Sequence, residues 1–515
     1  MRHFNIPAIP TSSQKNLRKK QLALAITQTL WLGVTTAHAA TITVDSNQDP
    51  GGAVTSSSIC TLRDAIQAAN TNAAVDKCSA GSSTASDNIV FASGLTTSAT
   101  TITLGGSALS VSSDMSIDGA DNITINAAGA SQVMDVSGGK LALSGLTLTG
   151  GYTSAIGGGL FAHQGASVSL SNSTISGNTA LQGAGGLVAY RGGTTVSLSA
   201  STVSGNVAGA AGGVAVLGGV LNLTNSKVSG NTSTSNSTPG GGGVLAYYGA
   251  TVNLTNSTVS GNSTGGNGGG FVVSDQDPNN SSTLASSTVS LVNSTVSGNS
   301  AAYLGGGILT VDSNVSLTNS TVSGNSAGTG GGVVDYGMVD GGSASLVNST
   351  VSGNSGGTAG GVGALGPVAV LSLTNSIVAN STGGKDCYVG TGGNGTVTAD
   401  AFNIIADGGC STSAQAVNPM LGALADNGGP TLTHLPQTGS PAINGGDQAA
   451  CTSNQITTDQ RGYSRSDGQC DIGSVEVGAK PPPNSGGGGG GGATGPLMLL
   501  FTGMLWPLRR RRRRG

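Results

Sequence analysis

Charge is what this chain has least of. Only 8% of its residues are charged, and the formal net charge is −3. Between Gly151 and Asn380 there is no Glu, the only His is His163, and the charged residues are Arg191, Lys227, Asp275, Asp277, Asp312, Asp335 and Asp340. Acid–base and glycosidic chemistry draw on paired carboxylates, His, Lys or Arg. No such pair stands out, so this stretch is poor ground for catalysis. Cysteine is absent from it too. The six residues Cys60, Cys78, Cys387, Cys410, Cys451 and Cys470 flank it, without a Cys-x-x-Cys or a nearby His to suggest a metal. Helix formers are scarce. The 89 glycines do not fall at every third position, which excludes collagen. Low charge with regularly recurring apolar residues also argues against disorder.

What is present is a phrase, Asn-Ser-Thr-Val-Ser-Gly-Asn. It starts at Asn172 and returns with small changes at Ala200, Asn225, Asn256, Asn293, Asn319, Asn348 and Asn375, at intervals of 28, 25, 31, 37, 26, 29 and 27 residues. A period of this size marks units that cannot bury a core alone and must stack. Val252 and Leu254 alternate and share a face. A corner at Asn256-Ser257 is needed to bring Val259 to the same interior. Gly261-Asn262 supplies a second corner, since both residue types accept positive φ. Short strands separated by corners describe one coil of an all-β, right-handed parallel β-helix, a solenoid of about a dozen coils estimated from the repeat length. Asn178, Asn206, Asn231, Asn262, Asn299, Asn325 and Asn354 would then stack at equivalent corners as a hydrogen-bonded ladder, in addition to ordinary turn chemistry.

The ends read differently. Arg18, Lys19 and Lys20, an apolar run from Leu22 to Val34, and Ala37-His38-Ala39 form a secretory signal (residues 1–39) cleaved between Ala39 and Ala40. Residues 40–150 are an N-terminal cap and irregular first coils, with an amphipathic helix over Cys60–Asn70 that places Leu62, Ile66 and Ala69 on one side. Residues 151–382 are the regular repeats, and 383–476 are a closing region. A Pro/Gly-rich linker (477–494) leads to an apolar tail ending in Arg509–Arg514 (495–515). The apolar stretch is too short for a robust permanent span, so only transient membrane contact is expected there. Without the Arg run the chain is more acidic, which argues against nucleic acid as a partner. An even cysteine count in an exported chain implies disulfides, and sequence-local pairing gives 60–78, 387–410 and 451–470, one of many possible connectivities.

Three segments resemble known families. Cys60-Thr-Leu-Arg-Asp-Ala-Ile is similar to the CSLREA motif of exported bacterial β-helix proteins, with Thr for Ser and Asp for Glu. Pro430-Thr-Leu-Thr-His434, Gly439-Ser-Pro-Ala-Ile443, Asp459-Gln-Arg-Gly462 and Cys470-Asp-Ile-Gly473 together resemble the choice-of-anchor Q domain. Gly486–Gly492, the apolar stretch and the Arg cluster resemble a GlyGly-CTERM signal. The repeats are loosely similar to those of polymorphic outer membrane proteins, with Val in place of Phe. These resemblances imply Gram-negative export to the cell surface or medium and a sorting protease acting on the tail. They imply no activity. Arg63 and Asp64 are read as cap residues, and Asp459, Arg461 and Asp471 as members of structural ion pairs.

Aligned on the Gly-Gly-x strand, His163, Tyr190, Tyr247 and Tyr336 share the fourth position after the last Gly. Arg191, Tyr248, Asp275 and Asp312 share the fifth. If positions one and three face inward, position four faces outward, and stacking lines these residues along one sheet face and its edge. Such a stripe suits sugar rings or a protein partner. The expected role is therefore adhesin-like binding of a surface glycan or protein, with no catalytic group, cofactor or metal. The alternatives are a polysaccharide lyase or glycoside hydrolase, with Asp275, Asp312, Asp335 and Arg191 as its candidates, and a structural surface-layer component.

Overall fold

The computed structural model describes residues 38–481, apart from 51–57, 237–239, 276–284, 340, 392–394, 454–455 and 466–467. Residues 1–37 of the signal, the sorting tail, Asp277 and Asp340 lie outside the described residues; His38, Ala39 and Ala40 are at the described N-terminal edge.

The chain winds as a parallel β-solenoid with three long sheets. One coil runs Val244–Tyr247 in sheet C, Thr251–Thr255 and Thr258–Ser260 in sheet A, and Ser263–Thr264 in sheet B. It re-enters sheet C at Phe271. Among the described residues sheet C has eleven strands, one for each turn; sheet A has 23 because each regular coil crosses it twice; sheet B has eight. Adjacent coils pair residue for residue, as in Val252↔Val289 and Leu254↔Leu291.

The corners follow from the repeated phrase. Each phrase begins in the left-handed region, with φ of 48° at Asn172, 52° at Asn256 and 47° at Asn375. That single residue reverses the alternation, so Val252, Leu254 and Val259 all reach the interior and are buried. Burying each such side chain stabilises the fold by about 1.5–3 kcal/mol, an upper figure given a compact unfolded state.

Two polar ladders run inside the stack. The Asn ladder joins Nδ2 of one residue to Oδ1 of the next at 2.9–3.0 Å from Asn178 to Asn354. Each Oδ1 also accepts the preceding Asn's backbone N–H, as Asn262 does from Asn231 at 3.0 Å. The residue after each phrase-initial corner builds a second ladder. The backbone N–H of Ser226 donates to Ser257 Oγ, and that of Ser257 to Ser294 Oγ, both at 3.1 Å. This ladder reaches Ser376, whose amide is taken by Asn403 Oδ1. Corner amides that no strand can pair are thereby satisfied without water.

In sheet C the expected in–out alternation holds for positions one and three, but from Val188 onward position two is buried as well. The Gly-rich approach to each strand folds back over it. A Cβ at Gly268 would collide with Val272, and one at Gly330 with Val334. Val188, Leu245, Val272, Leu309 and Val334 are covered in this way.

At the N-terminal end, the helix Leu62–Thr71 is fixed by a capping box between Thr61 and Asp64. Leu62, Ala65, Ile66 and Ala69 enter the same core as Ile42 and Leu109. Arg63 is clamped by Asp49 at 2.7 and 2.8 Å and by the carbonyls of Ser107 and Ala108. The three disulfides are 60–78, 387–410 and 451–470, with Cα separations of 4.8, 5.5 and 6.6 Å.

The closing region does more than end the stack. Lys385–Val389, Thr396–Thr398 and Ile404–Ile405 add a last coil. The chain then forms an antiparallel pair, Leu421–Ala425 with Thr433–Pro436, and runs back along the outside of sheet A. Thr295 Oγ1 donates to the Leu432 carbonyl at 2.7 Å, Thr321 Oγ1 to Gln460 Oε1 at 2.6 Å, and Ser323 Oγ pairs with His434 at 2.8 Å. The same Thr-Val-Ser sequence is half-exposed on its outer side at 258–260 and wholly buried at 295–297, 321–323 and 350–352. Asp459 receives Arg461 at 2.7 Å, and Arg465 meets Glu476 at 2.8 Å with both side chains fully buried. The Asp471 carboxylate accepts the backbone N–H groups of Asn444 and Val477.

Candidate ligand-binding face

Strand register decides which candidate residues meet. His163, Tyr190, Leu217, Tyr247 and Ser274 are successive neighbours across sheet C. Their row lies outside the core, at the turn into sheet A. Tyr190 and His163 remain half-buried there, whereas Tyr247 is only 4% exposed. Tyr247 joins Val188, Leu245 and Val272 in a small apolar cluster on the outer side of the sheet. Position five lies on the turn itself, with left-handed φ values of 40° at Arg191, 70° at Gly218, 62° at Tyr248 and 48° at Asp312.

Five candidates and two residues not singled out from sequence meet in one connected group. The Arg191 guanidinium lies 5.4 Å from the Tyr190 ring centre and 4.8 Å from that of Tyr248. The Phe161 ring stacks on His163 at 4.5 Å and lies 6.2 Å from Tyr190. Tyr247 meets Tyr248 edge to face at 4.7 Å. His163 Nε2 is 3.0 Å from Asp135 Oδ1 on the preceding coil. Phe161 and Asp135 were missed because they occupy position two: alternation turns it outward like position four, but the recurring Tyr, Asp and Arg lie at positions four and five. The second-position Phe161, two residues before His163, was the available signal.

The remaining candidates are placed apart. Tyr336 continues the row three coils beyond Tyr247, with Ser274 and Val311 between them, and the Tyr336 N–H donates to the Thr310 carbonyl. Asp275 and Asp312 are nearly fully buried. Asp312 Oδ1 accepts the backbone N–H groups of Met338 at 2.6 Å and Val339 at 3.1 Å, which fixes the loop after Tyr336. Asp335 occupies position three, between Thr310 and Ala364 in the inward row. It has no exposed surface. Burial, with Asp312 nearby, pushes its carboxyl up to about 7. Asp335 therefore faces the core and not an external ligand. His434, held by Ser323 and the Gly422 carbonyl, is kept below the usual histidine range by burial.

The patch thus offers ring faces, one planar cation and a His–Asp pair. It suits sugar or side-chain stacking with charge-assisted hydrogen bonds at one point. Among the described residues there is no group of three or more His, Cys, Asp or Glu side chains able to hold a metal ion. No helix among them is long and apolar enough to cross a membrane.

The right-handed β-helix region family matches residues 119–284 and, in an overlapping second match, 158–355. No curated protein matches the chain. Among solved structures, the pectate lyase Pel9A aligns over 86% of this chain and 98% of its own, at 14% identity and a TM-score of 0.41. The fold is a right-handed parallel β-helix.

Proposed function

We propose that this is an exported binding protein that attaches to a glycan or protein through the outer face of sheet C at its turn into sheet A. The observation that carries the reading is the Phe161, His163, Tyr190, Arg191 and Tyr248 patch, gathered from three of four consecutive coils onto a rigid surface. Export is supported by the N-terminal signal pattern and by three disulfides with no free cysteine. The resemblance of the C-terminal tail to a sorting signal supports surface attachment or release. The polysaccharide-cleaving alternative draws less support, because Asp335 faces the interior and Asp312 holds a loop.

The test is a glycan array probed with the purified protein, with reducing-sugar and unsaturated-product assays on every hit. Binding without turnover, weakened several-fold by Tyr190→Ala and Tyr248→Ala, is the expected result. Tyr247 serves as a packing control, since it lies in the apolar cluster. Turnover of any bound glycan would refute the reading. Silence on the array, with no loss of partner capture in either variant, would move the role to surface structure.

A further inference from the structure

We infer that the ligand of this face is an acidic polysaccharide, recognised through the anionic group of a sugar by Arg191 while neighbouring rings stack on tyrosine. The inference rests on the binding reading above and specifies its ligand class.

The argument begins with the backbone. Arg191 and Tyr248 are large residues in the left-handed region, a conformation ordinarily left to Gly, Asn or Asp. Gly218 occupies the same position on the coil between them. Strain of this kind persists where the surroundings impose it, and it concentrates at ligand sites. Here it has an evident consequence. A Cβ on Gly218 would stand 3.3 Å from Arg191 Cγ, so the missing side chain leaves a gap through which Arg191 crosses one coil to reach the Tyr248 ring. The turn beneath is fixed. Arg191 N–H donates to the Leu217 carbonyl at 2.8 Å, and Thr194 returns hydrogen bonds to the Arg191 and Tyr190 carbonyls at 3.0 and 3.1 Å.

The electrostatics point the same way. Among the described residues Arg191 makes no ion pair, and the five ion pairs present lie elsewhere or, for Asp135, are taken by His163. Lys227, the other cation of the repeats, sits in sheet A. Arg191 is exposed. Its guanidinium carries N–H donors in a planar fork, the geometry that takes a carboxylate or sulfate in two parallel hydrogen bonds. Holding the side chain in place beforehand lowers the ordering cost of binding.

The experiment compares polygalacturonate, dextran sulfate and neutral dextran on the purified protein, Arg191→Gln, Arg191→Lys and Tyr190→Ala. Gln is tolerated at this position, since Gln164 holds it one coil earlier with φ of 56°. The expected result is binding to at least one anionic polymer and not to dextran. Arg191→Gln should weaken it roughly 10-fold at low salt, with the difference shrinking as salt rises. Arg191→Lys should recover only part of the loss. The anionic polymer that binds identifies carboxylate or sulfate as the recognised group. Equal binding to dextran, or an unchanged Arg191→Gln, overturns the inference. If Tyr190→Ala still weakens binding in that case, the broader glycan reading stands; if no glycan binds any form, both fall.

Discussion

Asp335 allows a quantitative test of how this solenoid tolerates polar residues in its core. The coil pairs Ala344 with Leu371, one residue later than the preceding coil pair, which opens Asn314↔Ser343. The Val370 amide therefore has no ladder partner, and Asp335 Oδ2 accepts it from inside at 2.7 Å. The other oxygen, Oδ1, is buried without a hydrogen-bond partner. Burial favours the neutral carboxyl, so the folded state keeps the Asp335 proton up to about pH 7, whereas the unfolded chain releases it near 3.8. Between those values the folded state binds the extra proton, and stability falls as pH rises. The difference of about 3 pH units amounts to about 4 kcal/mol, absent below pH 4 and fully present above pH 7. Asp335→Asn keeps an acceptor for Val370 and removes the ionisation. After about 1–2 kcal/mol for its own poorly paired amide, the variant should be more stable than the parent by about 2–3 kcal/mol at pH 8, and less stable by about 1 kcal/mol at pH 4. Denaturant unfolding of both proteins at several pH values reads this directly. A stability difference that stays constant from pH 4 to 8 would refute the assignment of a neutral, inward-facing carboxyl.

Three further outcomes follow from the ladders and the closing region. Asn262→Ala removes the acceptor of two Asn231 N–H groups and the donor to Val228 and Asn299; it should cost about 3 kcal/mol or more in unfolding experiments. Burial lowers His434, so its stabilising neutral form is secure above pH 6.5 and opposed by protonation as pH falls below it. Limited proteolysis around residues 419–436 should accelerate from pH 7.5 to pH 5, and His434→Gln should flatten that trend. Gln460→Ala breaks bonds to Thr295, Thr321 and Thr431; it should release the closing region to protease by about 3 kcal/mol while leaving the coils' circular dichroism intact.

Most of the coil was legible because its rules are local. Alternation of Val252 and Leu254, an αL residue at Asn256 and a Gly-Asn corner suffice to predict which side chains turn inward. The Asn ladder was legible for the same reason, since each coil supplies Asn at the same offset. The Ser ladder was not, because a Ser after Asn already has a complete explanation as a turn residue. The inward direction of Asp335 was readable from its third position after Gly332, yet grouping it with the other rare charges obscured that. The lateral course of the closing region left no local trace. Thr258-Val-Ser260 and Thr295-Val-Ser297 are identical in sequence, and only a long-range partner buries one and not the other.

The same contrast explains where function can reside on such a molecule. Stacking fixes every inward residue and every ladder residue of a coil, so substitutions there are paid for in stability. Half-buried and exposed residues at positions four and five, such as Tyr190 and Arg191, and the loops beside sheet C escape this constraint. The two longest intervals, 31 and 37 residues, arise there. One enlarges the approach to Val244–Tyr247 after Thr232–Ser233; the other enlarges the exit from Phe271–Ser274 before Thr288. In repeat proteins, insertions gather on the face that meets the partner. In sequence, one precedes the strand that carries Tyr247 and the other follows the next strand of sheet C, Phe271–Ser274. A chain-like ligand lying along the solenoid axis would pass Phe161, Tyr190 and Tyr248 in turn, at a rise of about 4.8 Å per coil. Polymer length is therefore a readable variable: affinity should climb with oligosaccharide length until the ligand spans those coils, then level off. A ligand bound across the axis would instead saturate at one or two sugars.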